Sequence, residues 1–390
     1  MLTRIKNNLK NMNGLLLTLT IIMFLYGLFN IVTASSREAV VRYGLEPYHY
    51  FIRHLIMLTI GFVGSVIIVN TSSKKFPLYS FILYAGVFTI IVYMLFEGTA
   101  DRGSINWITL PIIGTFQPSE FAKPITIVFL AFLMDKLSSL VKMKDIKRWG
   151  YIMIIFGVMF AIPFFVFLEN DMGTACIILF IAGVMFLGGP VLLKDKLQAF
   201  LFCAIMIVCI ASIRFVTSGY ILTEEQVSRI TSFVNPCSKY VDGGYQTCNA
   251  FIAINNGGLL GVGIGESTQK YSYIPEPHTD SVFSIIAEEY GFLFSTIILV
   301  VMVIIIQTIL KISLEATTLM GRYICLGAAA YIFIHVMINL GGLFGLLPLT
   351  GVPLPFLSYG GTFTVSLMGI LAVVQRIAIE SNIAKKRIKI

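Results

Sequence analysis

Three acidic residues stand where a polar segment of the sequence runs into an apolar one. Asp280 ends the proline-containing segment 273–280, and Glu288 and Glu289 follow about two helical turns later inside the apolar stretch. A charged side chain in an apolar environment is costly, so acids at such a place are candidates for function. A carboxylate here could take a proton from a hydroxyl group, orient that group or bind a divalent cation, but it could also simply cap the following helix.

Other polar residues inside apolar stretches are spaced so that they can pair. Glu120 and Lys123 are three residues apart on one helical face, which allows either a buried ion pair or a cation directed at an anionic substrate. Asp171 precedes an apolar run and could cap a helix there. His335 and Asn339 are four residues apart, which is typical of side chains that make hydrogen bonds between membrane helices.

The elements that must position these residues are membrane helices. Of the 390 residues, 57% are hydrophobic and 12% are charged, against about 25% charged in soluble domains. A helix needs about 20 apolar residues to cross a bilayer. Ten stretches approach this length, at residues 15–35, 51–70, 76–97, 119–135, 150–168, 173–190, 198–216, 282–310, 322–346 and 359–379. We predict an all-α polytopic membrane protein with ten transmembrane helices, forming a single integral-membrane domain over residues 1–390.

The distribution of basic residues predicts the orientation. If residues 1–14 are cytoplasmic, 19 of the 28 Lys and Arg residues fall on the cytoplasmic side and 8 on the opposite side. This bias follows the positive-inside rule, and it explains the net charge of +8 without any binding of nucleic acid. The C-terminal tail, residues 380–390, is then also cytoplasmic, and the large loop 217–281 between the seventh and eighth helices is extracellular.

Two loops contain residues that restrict the backbone. In the large loop, Cys237 and Cys248 are eleven residues apart, and we predict a disulfide between them because this side of the membrane is oxidising. The glycine-rich run 257–265 follows no predicted strand, so we expect it to let backbone segments turn or pack closely rather than to bind phosphate. The loop 347–361 contains three prolines, and we expect it to line a cavity or to be buried in protein.

Several motifs occur in a characteristic order along the chain. They are NWI at 106–108, QPSEFAK at 117–123, DMGTA at 171–175, GYQ at 244–246, the glycines of 257–265, PEPHTD at 275–280, EEYG at 288–291 and the proline loop at 348–361. Together they resemble the SEDS family (shape, elongation, division and sporulation), which includes FtsW, RodA and SpoVE. Ser267, Gln269, Lys270 and Pro277 are more similar to FtsW than to RodA, whereas Asn106 stands where family members often have arginine.

This resemblance implies a fold with ten membrane helices, which hydropathy predicts independently. It also implies an inverting peptidoglycan glycosyltransferase that polymerises lipid II, a disaccharide peptide linked to a polyprenyl diphosphate. The partner implied is a class B penicillin-binding protein, a transpeptidase, at the bacterial plasma membrane. The role in division, elongation or sporulation stays open.

The resemblance also implies roles for individual residues. Asp280 falls on the family's essential aspartate, and we expect it to be the general base. We expect substrate contacts from Lys123, Glu120, Arg102, Trp107, Arg229, Gln246, Lys270, His278 and Ser358, and support from Asp171, Glu288 and Glu289. No cofactor is required by these residues, while a divalent cation, Mg²⁺ or Mn²⁺, stays open.

Two other functions use the same elements. A lipid II flippase would need a polar route to the cytoplasmic face, but the inner halves of the predicted helices hold few charges, which favours the enzyme. A scaffold for a penicillin-binding protein without catalytic activity would not need Asp280, which this chain retains.

Overall fold

The computed structural model describes residues 2–97, 99–101, 104–110, 114–142, 148–189, 193–221, 227, 233, 236–238, 244–271 and 274–388. The first helices are α1 (Leu2–Asn11), α2 (Gly14–Tyr43), α3 (His49–Asn70), α4 (Phe76–Glu97), α5 (Pro118–Lys142) and α6 (Arg148–Leu168). They are followed by α7 (Met172–Gly188), α8 (Leu193–Ser218), α9 (Tyr245–Gly257), α10 (Val282–Glu315), α11 (Leu319–Leu343) and α12 (Gly361–Ile388). Between α4 and α5 lie three short strands, β1 (Thr99–Asp101), β2 (Ser104–Leu110) and β3 (Gly114–Phe116).

The predicted helical membrane fold is confirmed. Each of the ten predicted membrane stretches lies mainly on one helix, from α2 to α8 and from α10 to α12. Among the described residues, seven helices are long and apolar enough to cross a membrane, namely α2, α3, α4 with its preceding turn, α6, α10, α11 and α12. Helix α7 and the Ala204–Ser218 part of α8 are apolar but shorter. The count of ten membrane helices stays a prediction.

A small sheet interrupts the otherwise helical chain, and the sequence analysis did not foresee it. Its three strands are antiparallel in the order β1-β2-β3, with Thr99 opposite Trp107 and Thr109 opposite Thr115. The sheet follows α4 directly and leads into α5. It therefore places Trp107 and its neighbour Asn106 at the end of the helix bundle where α5 begins.

Helices α11 and α12 form the centre of the bundle. Helix α11 packs against α5, α7 and α10, and α12 packs against α3, α5 and α11. Helices α2, α3 and α4 instead expose large apolar side chains such as Phe62, Ile67 and Phe96, as expected for surfaces that face lipid. The helices near the centre can therefore hold polar side chains in buried, defined positions.

Helix α10 is broken at Gly291, where φ is 76° and ψ is 179°. In a regular helix, the amide of Phe292 would donate a hydrogen bond to the carbonyl of Glu288. The amide of Leu293 would likewise donate to the carbonyl of Glu289. A break here within a membrane requires other partners for these four backbone groups, because an unsatisfied group in an apolar environment is costly.

The glycine-rich segment 258–263 supplies those partners. The four bonds run from Val262 N to Glu288 O (2.9 Å), Gly263 N to Glu289 O (3.1 Å), Phe292 N to Gly258 O (2.9 Å) and Leu293 N to Leu259 O (3.2 Å). A Cβ atom at Gly257 would lie 1.9 Å from the oxygen of Ala287, so the two backbones can approach this closely only without a side chain. The expectation that the glycine run lets backbone segments pack closely is confirmed.

Candidate active site

Asp280 lies at the N-terminal end of α10, with 8% of its surface exposed. The side-chain amide of Gln246, on α9, donates to both carboxylate oxygens, at 3.0 Å to Oδ1 and 3.2 Å to Oδ2. The hydroxyl of Thr279 donates to Oδ1 at 3.2 Å. Two elements far apart in the sequence thus fix the direction of one carboxylate. Gln246 comes from a motif that the sequence analysis assigned to the substrate site, and the structure brings it to Asp280.

Asp280 does not cap α10. The N-cap position is Ser281, whose side chain makes no capping hydrogen bond, and the helix begins at Val282. The Asp280 carboxylate instead accepts from Gln246 and Thr279. The capping role, which the sequence left open as an alternative, is therefore not the role of this side chain.

The backbone around Asp280 is fixed by α11 and by the proline loop. The Asn339 amide on α11 donates to the carbonyl of Asp280 at 2.7 Å and to that of Val352 at 2.8 Å. A Cβ atom at Gly351 would lie 4.0 Å from Oδ2 of Asp280. The sequence predicted hydrogen bonds from Asn339 to another membrane helix, but its amide instead joins the proline loop to the segment that carries Asp280.

Most of the second half of the proline loop, at 352–358, is buried, as expected. Leu354 and Leu357 are fully buried, and the hydroxyl of Ser358 accepts a hydrogen bond from the Leu354 amide at 2.8 Å. Gly27 of α2 lies so close that a Cβ atom there would be 2.0 Å from the oxygen of Phe356. Ser358 thus holds the turn of the loop in this structure, and its predicted substrate contact stays a prediction.

A contact with Glu38 of α2 also holds the segment 274–281, and the sequence analysis did not select Glu38. Glu38 of α2 accepts from the backbone amide of Glu276 at 3.2 Å, and its Oε2 lies 3.3 Å from Nδ1 of His278. The carbonyl of His278 accepts from the Tyr359 amide at 2.7 Å, and its ring packs on Tyr50 with centroids 4.2 Å apart. His278 therefore positions the segment two residues before Asp280.

Glu288 and Glu289 are both buried and both have partners. Glu288 accepts hydrogen bonds from Ser267, Thr268, Asn256 and the amide of Gln269. Glu289 forms an ion pair with Lys270 at 2.7 Å, and Lys270 also donates to the carbonyl of Gly265 at 2.6 Å. These acids hold the segment 265–271 against α10 and place a carboxylate beside Lys270. Their supporting role for Asp280 stays a prediction.

Glu120 and Lys123 form the ion pair that their spacing predicts. Lys123 Nζ lies 2.7 Å from Glu120 Oε1 and 3.3 Å from Nε2 of His335 on α11. The other ring nitrogen of His335 lies 3.2 Å from the carbonyl of Pro353 in the proline loop. Lys123 is 1% exposed. This geometry favours the interpretation in which the pair fixes helix packing, because the lysine already has a buried carboxylate and an imidazole as partners.

Asp171 caps α7, as the sequence allowed. Its Oδ1 accepts from the Thr174 amide at 3.0 Å, and its Oδ2 accepts from Asn106 at 2.8 Å and Gln117 at 2.9 Å. The side-chain amide of Asn106 ties the β2 strand to the start of α7. Asp171 therefore supports the position of the sheet.

Glu169 is a buried acid that the sequence analysis did not assign. It is 1% exposed, and its Oε1 has no hydrogen-bond partner among the described residues. Burial, together with the nearby Asp171 carboxylate, raises the pKa of Glu169 from 4.5 to about 8. Near neutral pH this side chain therefore holds its proton in the folded protein.

The raised pKa of Glu169 predicts that stability falls as the pH rises from 4.5 to about 8. The folded state binds one more proton than the unfolded state between pH 4.5 and about 8. The stabilisation is complete below the lower value and is lost as the pH rises through the higher one. Thermal unfolding in detergent at pH 5.5, 7.0 and 8.5 should show the decline. Glu169→Gln should reduce the decline by about 2 °C or more, and an unchanged pH profile in that variant would contradict the assignment.

The remaining predicted residues are distributed as follows. Trp107 lies on β2, next to Asn106, whose amide contacts Asp171. Cys237 and Cys248 form a disulfide that ties the turn at 236–238 to α9, with Cα atoms 5.0 Å apart. Arg102 and Arg229 lie outside the described residues. Among the described residues, no three His, Cys, Asp or Glu side chains come together in a way that could hold a metal ion.

Comparison with known proteins identifies the family. The sequence model of the FtsW, RodA and SpoVE family, described as cell cycle protein, matches residues 13–383. The chain belongs to this family. It is 32% identical over 369 residues to the probable peptidoglycan glycosyltransferase FtsW of Coxiella burnetii, covering 93% of this chain and 95% of that protein. It is 33% identical over 372 residues to stage V sporulation protein E of Bacillus subtilis, covering 93% and 96%.

A solved structure has the same arrangement of helices as this chain. A chain of a peptidoglycan synthase complex that coordinates polymerization and crosslinking superposes with a TM-score of 0.73 at 20% sequence identity, covering 95% of this chain and 98% of that one. The likeness extends over nearly the whole chain. This family member therefore has the established membrane fold, with Asp280 at the junction between the large loop and α10.

Proposed function

We propose that this chain is a peptidoglycan glycosyltransferase that polymerises lipid II, with Asp280 as the general base. The observation that carries the proposal is the buried Asp280 carboxylate, which Gln246 holds by both oxygens at the end of a membrane helix. Relatives that cover nearly the whole chain are named as probable peptidoglycan glycosyltransferases.

The chemistry assigns one proton transfer to Asp280. The carboxylate takes the proton from the 4-hydroxyl of the acceptor sugar while that oxygen forms a bond to the anomeric carbon of the donor. The bond from this carbon to the polyprenyl diphosphate breaks, and the diphosphate leaves with the electron pair. Attack from the side opposite the leaving group inverts the anomeric configuration. Gln246 orients the base, because its amide fixes both carboxylate oxygens.

The leaving diphosphate requires positive charge, but two of the cations predicted to bind it are already paired with carboxylates. Lys123 is paired with Glu120, and Lys270 with Glu289, each at 2.7 Å and largely buried. Either lysine would have to exchange its carboxylate for the diphosphate before it could bind that group directly, because separating a buried ion pair without a replacement is costly. Contacts to the diphosphate from Arg102 and Arg229 stay predictions from the sequence.

The proposed setting is the bacterial plasma membrane with both termini in the cytoplasm. The excess of Lys and Arg on the side of the termini supports this orientation. Asp280 then faces the outer surface, where the sugars of lipid II are displayed. A class B penicillin-binding protein is the proposed partner, since one related chain belongs to a complex of polymerization and crosslinking. Septal and lateral wall synthesis are both compatible with the family.

The need for Mg²⁺ or Mn²⁺, which the sequence left open, is a separate question. Among the described residues, no three acidic, histidine or cysteine side chains come together as metal ligands.

Purified protein and labelled lipid II test the proposed function. The wild-type chain, alone and with a class B penicillin-binding protein, should convert lipid II into glycan polymer that is resolved by gel electrophoresis. A parallel assay should follow lipid II across the bilayer of sealed liposomes. Transport of lipid II without polymer in either preparation would contradict the proposal and favour a flippase.

Replacing Glu38 should lower activity although Glu38 lies outside the reacting groups. In Glu38→Gln, the amide oxygen can still accept from the Glu276 backbone, but the charge beside His278 is lost. Because Asp280 follows His278 by two residues, we expect a rate about tenfold lower at saturating lipid II, with little change in KM. Glu266→Gln removes an exposed acid from the large loop that carries His278 and is the matched control. An unchanged rate in Glu38→Gln, or an equal loss in the control, would contradict the positioning role.

A further inference from the structure

A cationic cleft lies at the end of the bundle opposite Asp280. Its walls come from α1 and the C-terminal end of α12, and its volume is about 250 Å³. The lining residues are Asn7, Lys10, Asn11, Ile383, Lys386 and Arg387. Three of these six side chains are positively charged, and the cleft contains no acidic residue. The enzyme proposed above does not use this region.

The cleft has a defined shape because asparagine side chains hold α1 against the rest of the bundle. Asn8 donates to Asn70 of α3 at 2.9 Å, and the carbonyl of Asn11 accepts from Asn382 of α12 at 2.9 Å. Lys386 donates to Oδ1 of Asn11 at 2.7 Å. Both Asn8 and Asn11 are 4% exposed. The contacts of the buried Asn11 side chain and backbone therefore fix the position of Lys10 relative to α12.

The cations of the cleft lack acidic partners, whereas their neighbours have them. Lys385 pairs with Glu315 at 2.8 Å, and Arg376 pairs with Glu380 at 2.8 Å. Among the described residues, no carboxylate forms an ion pair with Lys10, Lys386 or Arg387. A concentration of unneutralised charge on two helices repels itself, so an anion that binds between them would relieve that repulsion.

The location of the cleft selects the kind of anion. Helix α12, which forms one wall, and α2, which follows α1 in the chain, are both long and apolar enough to cross a membrane. Leu9, next to Lys10 on α1, is 60% exposed, as a side chain that contacts lipid would be. We propose that this cleft binds the phosphate of an anionic phospholipid, with Lys10, Lys386 and Arg387 around the headgroup and α1 lying along the bilayer surface.

Nanodiscs of stated composition test this site. The full-length chain is reconstituted in phosphatidylcholine with or without phosphatidylglycerol, and lipids retained after transfer to detergent are counted by native mass spectrometry. The wild type should retain phosphatidylglycerol in preference to phosphatidylcholine. Changing Lys10, Lys386 and Arg387 together to Gln should lower the affinity for phosphatidylglycerol about a hundredfold, since each cation near a membrane surface contributes separately to the attraction.

A charge-matched variant separates this site from general surface charge. Lys74, Lys75 and Lys311 are exposed and lie outside the cleft, so changing all three to Gln should alter the affinity less than about threefold. Arg387→Gln alone should lower it about fivefold, which keeps the test valid if the triple variant folds poorly. Equal losses in both triple variants would overturn the proposal. Displacement of the lipid by millimolar inorganic phosphate, or no preference over phosphatidylcholine, would also overturn it.

Discussion

Asp280→Asn is expected to insert and fold normally but to polymerise lipid II at least about a hundredfold more slowly than the wild type. Loss of a general base typically costs two to four orders of magnitude in rate. The asparagine amide cannot take the proton of the acceptor hydroxyl, although it has nearly the same shape as the carboxylate. The measurement is the initial rate of polymer formation from labelled lipid II at equal protein concentration.

The structure explains why this variant should remain folded. Asparagine keeps an oxygen that can accept from Gln246, and the backbone carbonyl of residue 280 still accepts from Asn339. We therefore expect a thermal unfolding temperature within about 2 °C of the wild type. A variant that is equally inactive but clearly destabilised would mean that Asp280 acts on folding rather than on the reaction.

Gly291→Ala is expected to destabilise the protein by about 3 kcal/mol or more. The new Cβ atom would lie 2.3 Å from the nitrogen of Gly261 and 2.6 Å from the oxygen of Leu259. The φ of 76° and ψ of 179° at Gly291 also belong to a region that only glycine adopts without strain. The substitution would separate the glycine-rich segment from α10 and leave backbone groups of both without partners. The measurement is thermal unfolding in detergent, together with the yield of folded protein.

Gly157→Ala is the matched control for this prediction. Gly157 lies inside α6, and a Cβ atom there would meet nothing within 4 Å. Alanine favours a helix interior over glycine by about 1 kcal/mol, so the control should be neutral or slightly stabilising. Equal stability of Gly291→Ala and the wild type would show that the break in α10 does not depend on glycine.

Much of the helical fold could be predicted because hydropathy reports the dominant constraint in a membrane. Each predicted stretch corresponds to a helix, since only helices satisfy the backbone of a lipid-exposed segment of that length. The β1–β3 sheet had no such signal, because its strands have three to seven residues and lie in a loop. The partners of the broken α10 could not be deduced either, although the glycine-rich run 257–265 indicated a place where backbone segments come close.

In the candidate site, residues that belong to short motifs could be predicted, whereas contacts between residues distant in the sequence could not. Asp280, Gln246 and the Glu120–Lys123 pair were accessible from motifs and spacing within short stretches. Glu38 was not, because its bond to the Glu276 amide joins residues 238 positions apart. Its only sequence signal is an acid three residues after the first predicted membrane stretch. The capping role left open for Asp280 is not observed, since the N-cap position is Ser281 and its side chain makes no capping hydrogen bond.

The central claim is that this chain polymerises lipid II through the carboxylate of Asp280. The most direct measurement compares the wild type, Asp280→Asn and the exposed-acid control Glu266→Gln in identical nanodiscs, with the same penicillin-binding protein and labelled lipid II. We predict polymer at comparable rates from the wild type and Glu266→Gln, and at least about a hundredfold less from a folded Asp280→Asn. Polymer formation by Asp280→Asn within about twofold of the wild-type rate would contradict the claim, since no general base contributes so little.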